Sequence, residues 1–434
     1  MSDYFEIAYS AASKRLCILS GTGFSKAVSG NAAPSWIELL EQLSSHCKNG
    51  KELLTELLPE DSAPALTLEE IAEVIRLNLE SVDKDIYEIT ASVISEIELS
   101  GKIDETQKFL AGFEGTIFTT NYDKLAENLT GAERTQSLTP GRPIPRSNAA
   151  VNVFHIHGSI DSPQDMIITT KDYYRFLSGE NYFSRKISTA LLENTTVIVG
   201  YSLSDFNLKK ILDELRNSHS GFSLGSNLFF VSRDEISQNV KDFYASTFGI
   251  RVIDDTEVEQ FFCLLGGEME EAKNCLEKTR ETVRKVFRDE YEFTDNYLKT
   301  KNCFFEIISA AESDGIDLSE DAMVSKVGEM LKRKIGFSQE TSAWSQYEHL
   351  ASWLTHWACK KDIAGSSIET VFLEAVKHSM EHMRSENKLG YSWAAYGVWK
   401  QKWSSLTPEN RKMLKTYVRE QVDSEDGKLL VSSL

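Results

Sequence analysis

Four short clusters of glycine and polar residues, each following an apolar run, hold the chemistry that this sequence can do. The first is Ser20-Gly21-Thr22-Gly23-Phe24-Ser25. Two glycines let the backbone turn tightly and bring N–H groups close to a pyrophosphate near the start of the next helix. The third glycine of the usual dinucleotide fingerprint is missing, since Lys26 stands at its place, and no Walker pattern occurs. A glycine turn that merely links strand to helix is the alternative. The second cluster is Thr119-Thr120-Asn121-Tyr122-Asp123, at the carboxyl end of a strand-like run, where open α/β sheets bind ligands. Asn121 or Asp123 could instead cap a helix beginning near Lys124. The third is Phe154-His155-Ile156-His157-Gly158-Ser159. Strand alternation puts both histidines on one face, so spacing does not choose between them. Position does: His157 lies at the carboxyl edge beside a glycine that clears space for a ligand, whereas His155 lies one pleat inside and reads as a core histidine. The fourth is Gly200-Tyr201-Ser202-Leu203-Ser204-Asp205, with Ser204 or Asp205 as a simple N-cap for the alternative.

These clusters need a sheet to align them. Strands are expected at Arg15 to Ser20, Thr116 to Thr119, Val153 to His157, Met166 to Thr169, Thr196 to Gly200, Leu228 to Ser232 and Arg251 to Ile253. Several are nearly continuous apolar runs, as strands buried on both faces of a parallel sheet should be. The fold class is therefore α/β, a Rossmann-like doubly wound parallel sheet. A helical insertion over about residues 39–110 separates the first two strands. Gly266-Gly267 ends the α/β pattern, which places a domain boundary near residue 267, with residues 1–266 as the sheet domain and 267–434 as an all-helical domain. In the latter, Met323, Val324, Val327, Met330 and Leu331 follow helical spacing. Six of the seven Trp lie there, either as an aromatic core or as an assembly surface.

The chain has 434 residues, 41% hydrophobic and 26% charged, with 8 Pro, which excludes a collagenous or largely disordered polypeptide. Its net charge of -19 repels phosphate backbones and anionic lipid, and no basic run offsets it, so direct binding of nucleic acid or membrane is not expected. The six Cys show no C-x-x-C, which argues against a zinc cage and a disulfide scaffold and reads as buried thiols in a reducing compartment. The start MSDYFEIAYS is acidic where a signal peptide is basic then apolar, so a soluble cytoplasmic protein is expected.

Taken in order and at these intervals, G-T-G-F-S, T-T-N-Y-D, H-G-S and G-Y-S-L-S-D resemble the sirtuin superfamily, and in particular its bacterial defence-associated branch. Pro34-Ser35-Trp36 and Lys171-Asp172-Tyr173 are similar to that branch too. The resemblance spans about residues 10 to 255. It implies that Gly21, Thr22, Gly23 and Ser25 cradle the diphosphate of NAD. Asn121 would position the nicotinamide ribose and an attacking water, Asp123 would hold the carboxamide, and His157 would be the general base. Gly200, Ser202 and Asp205 would line the adenosine half. Deacylating sirtuins carry a four-cysteine zinc module that this chain lacks, along with an Ala where Thr22 stands and Gln-Asn-Ile-Asp in place of Thr-Asn-Tyr-Asp.

The resemblance therefore implies hydrolysis of NAD to nicotinamide and ADP-ribose in anti-phage defence, with NAD as substrate and no metal. It also implies a homo-oligomer, with a HerA-like ATPase as a partner in some members. Two other readings stand beside this one. A non-catalytic sensor of NAD or ADP-ribose would keep the glycine loop without needing His157, and a protein deacylase would consume an acyl-lysine peptide.

Overall fold

The computed structural model describes residues 3–59, 64–144, 148–178, 182–202, 227–288, 290–341, 343–386 and 388–433. Among them, seven strands form one parallel sheet: β1 (Leu16–Ser20), β2 (Gly115–Thr119), β3 (Thr135–Leu138), β4 (Val151–His155), β5 (Thr195–Val199), β6 (Leu228–Val231) and β7 (Ile250–Ile253). Their order is β3-β4-β2-β1-β5-β6-β7. β2, β3 and β4 lie on one side of β1, with β4 inserted between β2 and the edge strand β3, and β5 to β7 lie on the other, so strand order changes side at β1, where such folds open a ligand crevice.

Alternation along each strand feeds two cores. Ile18, Ile117, Val153, Val197 and Phe229 pack with the helices Asp3–Ala12, Asp104–Gly112 and the first part of Val258–Phe287. Leu19, Phe118, Phe154, Ile198 and Phe230 pack on the opposite face with Tyr182–Glu193 and Gln238–Phe248. This double burial is why the strands read as unbroken apolar runs.

The expected strand at Met166 to Thr169 is not one. Its residues are buried, Met166 and Ile168 completely, but they extend along the insertion's core, and Ile167 N–H donates to the His157 carbonyl at 2.8 Å. A short apolar run signals burial and not strand pairing. The sheet's edge is instead β3, Thr-Gln-Ser-Leu, whose polar residues gave no strand signal. The strand Val151–His155 also starts and stops two residues earlier than expected, leaving His157 in the following turn.

Between β1 and β2 lie the helices Thr22–Val28, Trp36–Ser44, Gly50–Leu57, Leu68–Glu80, Ile86–Ser95 and Asp104–Gly112. Two of them open on capping boxes, Ser35 with Glu38 and Thr67 with Glu70, which satisfy backbone donors at their starts. Gly266 and Gly267 do not end an element. They sit inside the continuous helix Val258–Phe287, with nothing within 4 Å of the space a Cβ would take. The passage from sheet core to helical core runs along this helix: Phe261 and Leu265 belong to the first, Val283 and Val286 to the second.

Helices follow to the end of the described chain. Trp353, Trp357, Trp399 and Trp403 fill their core, while Trp344 and Trp393 are 52% and 59% exposed, so the tryptophans divide between core and surface. All six cysteines are free; Cys263 is exposed, unlike the buried thiols expected. Among the described residues no helix is long and apolar enough to cross a membrane.

Candidate functional site

Over the carboxyl ends of β1, β2 and β4 lies a cleft of ≈ 290 Å³ lined by Thr22, Ser25, Asn121, Asp123 and His157 from three of the sequence clusters. The insertion closes its other side with Pro34, Trp36, Leu39, Leu68 and Ile94, and Tyr173 completes the wall.

Three polar side chains form one chain of hydrogen bonds at its base. Asn121 Nδ2 donates to the Gly21 carbonyl at 2.9 Å and to Ser25 Oγ at 2.7 Å. Ser25 Oγ in turn donates to Asp123 Oδ2 at 2.7 Å. Asp123 Oδ1 accepts the Leu125 N–H at 3.0 Å. Both partners of Nδ2 are acceptors, so the amide orientation is fixed and Oδ1 remains for a ligand's hydroxyl or water. Asp123 thus does two things at once: it turns the chain into the helix Leu125–Thr130 and anchors Ser25. Burial pushes its carboxyl above the ordinary range, against the hydrogen bonds from Ser25 and Leu125.

The two histidines occupy different environments. His155 is fully buried, with Nδ1 3.0 Å from the Asn121 carbonyl and Nε2 2.8 Å from Glu127 Oε1. Burial would raise the Glu127 carboxyl, but His155 and Lys124 outweigh it and hold it at about 2. His157 lines the cleft, its ring edge-on to Tyr173 and Phe176, and burial lowers its pKa to about 4. The ring is therefore held in the neutral form, which has a lone pair for a proton but is a weaker base than a free imidazole.

The glycines of the first and fourth clusters pack closely against one another. A Cβ at Gly23 would stand 2.9 Å from the Gly200 carbonyl, and one at Gly200, whose φ is +75°, would stand 2.0 Å from Phe24 N. Gly21 N–H donates to Val199 O, Gly23 N–H to Gly200 O and Phe24 N–H to Gly21 O, so these amides are already engaged. Gly21, Gly23, Gly200 and Ser202 are not among the cleft's lining residues, and Asp205 lies outside the described residues. Thr120 Oγ1 meets Tyr201 Oη at 3.0 Å, joining the second cluster to the fourth. The space left by Gly158 is filled by the backbone of Asp165 and Met166 rather than kept open.

Sequence reasoning missed the hub role of Ser25 and the apolar wall from the insertion. It noted Lys171-Asp172-Tyr173 but not what Asp172 does: Oδ2 accepts Tyr87 Oη, the Ile168 and Thr169 amides and Thr169 Oγ1, pinning the insertion beside the cleft. Among the described residues, no group of three or more His, Cys, Asp or Glu is placed to hold a metal ion.

Residues 115–253, which hold six of the seven strands and the Asn121 and Asp123 cluster, match the family model described as the SIR2-like domain. The chain's relatives include the NAD(+) hydrolase ThsA of Bacillus cereus (strain MSX-D12), 28% identical over 131 residues, which is 28% of this chain and 27% of that protein. The NAD(+) hydrolase ThsA of Enterococcus faecium is 30% identical over 122 residues, 26% of this chain and 25% of that protein. The matched region thus spans about a quarter of the length of each of these relatives.

Proposed function

We propose that the protein is an NAD+ hydrolase that cleaves the nicotinamide glycosidic bond, acting in anti-phage defence by depleting cytoplasmic NAD. The observation that carries this reading is the convergence of Asn121, Asp123, Ser25 and His157 in one cleft where strand order changes side. In the reaction the bond from ribose C1′ to the pyridinium nitrogen breaks, and its electron pair neutralises the ring. Water oxygen then bonds to C1′ and loses a proton, giving ADP-ribose. The leaving group starts cationic, so acid catalysis is scarcely needed, and positioning of ribose and water dominates.

Asn121 Oδ1 would hold a ribose hydroxyl or the water, and Asp123 the carboxamide. His157, neutral because it is buried, would accept the proton. The apolar wall from Trp36, Leu39 and Ile94 would exclude bulk water, strengthening the polar contacts within. Thr22 would face the diphosphate at the mouth, with Gly200, Ser202 and Asp205 toward the adenosine. The helical residues 267–434 would assemble the enzyme with itself or with a HerA-like ATPase. The test is nicotinamide release from NAD by the full chain, alone and with such a partner, with native mass spectrometry to read the assembly. Binding of NAD without turnover in any assembly contradicts the reading.

A further inference from the structure

A second pocket, ≈ 80 Å³, lies where the first helix and β7 meet the helical array. That is roughly five times or more what one water molecule requires. Its wall includes Glu6 of the helix Asp3–Ala12, Arg251 of β7, Lys301, Trp353 and His356 of the helix Trp344–Lys360, and Lys402 of the helix Trp393–Lys402. None of these belongs to the cleft described above.

Two features of the wall set it apart. Trp353 Nε1 and His356 Nε2 are buried nitrogens with no hydrogen-bond partner among the described residues. A buried donor left unpaired is costly, so an acceptor is wanted here. The indole N–H can only donate, and the imidazole nitrogen donates in one tautomer. The second feature is charge. Three cations line the space against one carboxylate, Glu6, which Arg251 already grips through two hydrogen bonds of 2.8 and 2.7 Å. The carboxylates paired with the lysines, Asp3 with Lys402 and Glu348 with Lys301, stand outside the lining. Arg251 pairs with Asp3 as well, at 3.2 Å, so each of the three cations already has a carboxylate partner and the wall is a network of paired charges that reaches the surface at Lys301. Its field is felt by His356, whose pKa burial lowers to about 3 with Lys360, Arg251 and Lys402 adding to the shift and Glu6 opposing it.

We propose that this cavity binds a phosphate-sized oxyanion, either inorganic phosphate or the terminal phosphoryl group of a small metabolite. The oxyanion accepts from Trp353 Nε1 and His356 Nε2 and is held by Lys301, Lys402 and Arg251. Because these groups come from β7 and from widely separated parts of the helical array, the bound anion ties the two together. The proposal stands independently of NAD cleavage.

The experiment labels the full chain with 5-fluorotryptophan and follows the fluorine resonances while inorganic phosphate is added at low ionic strength. Ribose 5-phosphate forms a parallel arm, and chloride is the control for salt. Trp353→Phe keeps a ring to stack on Phe304, 4.8 Å away between centroids, and identifies the Trp353 resonance by its loss. The expected result is a saturable shift of that resonance with phosphate and not with chloride. Lys402→Gln and Lys301→Gln should each weaken binding about fivefold or more, the scale of one charge-assisted hydrogen bond. Lys301 is a surface side chain at 59% exposure, so its variant folds whatever the fate of the others. Tighter binding of ribose 5-phosphate assigns the site to a phosphorylated metabolite, and equal or weaker binding to the free ion. Absence of a saturable shift with either compound, or affinity unchanged in Lys301→Gln and Lys402→Gln, overturns the proposal.

Discussion

Asn121 and Ser25 are joined by a 2.7 Å hydrogen bond in which the amide nitrogen donates and the serine hydroxyl accepts. Ser25 passes its own proton toward Asp123, so one hydroxyl from the first cluster sets the orientation of two side chains from the second. Removing it in Ser25→Ala frees the Asn121 amide to rotate. The expected outcome is a fall in kcat for NAD cleavage of about tenfold or more, the scale of one lost buried hydrogen bond, with KM little changed. A rise in KM alone would place Ser25 on the diphosphate instead, and steady-state kinetics distinguishes the two.

Gly23→Val is expected to act on folding. A Cβ there meets the Gly200 carbonyl at 2.9 Å and the Gly200 Cα at 3.0 Å, backbone atoms that cannot swing away. Overpacking of this kind costs about 1–3 kcal/mol. Urea denaturation checks it: a variant as stable as the parent would mean that the two loops separate freely.

The two histidines should part company. His155→Ala leaves the Asn121 carbonyl without its ring partner and Glu127 with Lys124 alone, which should cost about 1–3 kcal/mol of stability. His157→Ala should instead lower turnover by about 10² to 10⁴, the range of a positioned general base, with melting temperature little altered. Thermal melts beside turnover assays read both. Loss of turnover in a fully stable His155→Ala, with His157→Ala still active, would reverse the assignment.

Acid should destabilise the chain before its carboxylates protonate. Burial holds His157 at about 4 and His356 at about 3 in the folded state, whereas unfolded imidazoles take up protons below about pH 6.5. The unfolded state therefore binds more protons in that window, and stability present above about pH 6.5 is lost as the pH falls toward 4. His157→Gln removes one such group, which should flatten the decline between pH 7 and 5 by up to about 2 kcal/mol. Urea midpoints at pH 7, 6 and 5 measure it, and parallel declines in variant and parent would contradict the buried neutral ring.

The sequence spoke clearly where burial was two-sided. Ile18 and Leu19 face opposite cores, so β1 reads as an unbroken apolar run, and its glycine turn marks the crevice. It was silent where burial is one-sided or local. The edge strand Thr135–Leu138 has polar residues because its outer side pairs with nothing among the described residues, while Met166 and Ile168 are apolar because they face the insertion. At the site, cluster order located Asn121, Asp123 and His157, but residue types could not tell a hydroxyl that touches ligand from one that touches Asn121. That distinction for Ser25 depends on the helix Thr22–Val28 bringing its hydroxyl within 2.7 Å of an amide 96 residues further on, just past the end of β2. The glycines carry a second signal of the same kind: a missing Cβ marks close approach, and at Gly23 one approaching group is the backbone of Gly200.

The central claim is that the cleft hydrolyses NAD, and nicotinamide release by the full chain, measured alone and with a HerA-like ATPase, tests it most directly. Asn121→Ala is the paired control; it gives up two buried hydrogen bonds at a cost of about 1–3 kcal/mol but keeps the fold. The account expects nicotinamide and ADP-ribose in equal amounts from the parent chain in at least one assembly, and none from Asn121→Ala in the same assembly. Equal turnover by the folded variant, or NAD left intact by the parent in every assembly while it still binds, would contradict it.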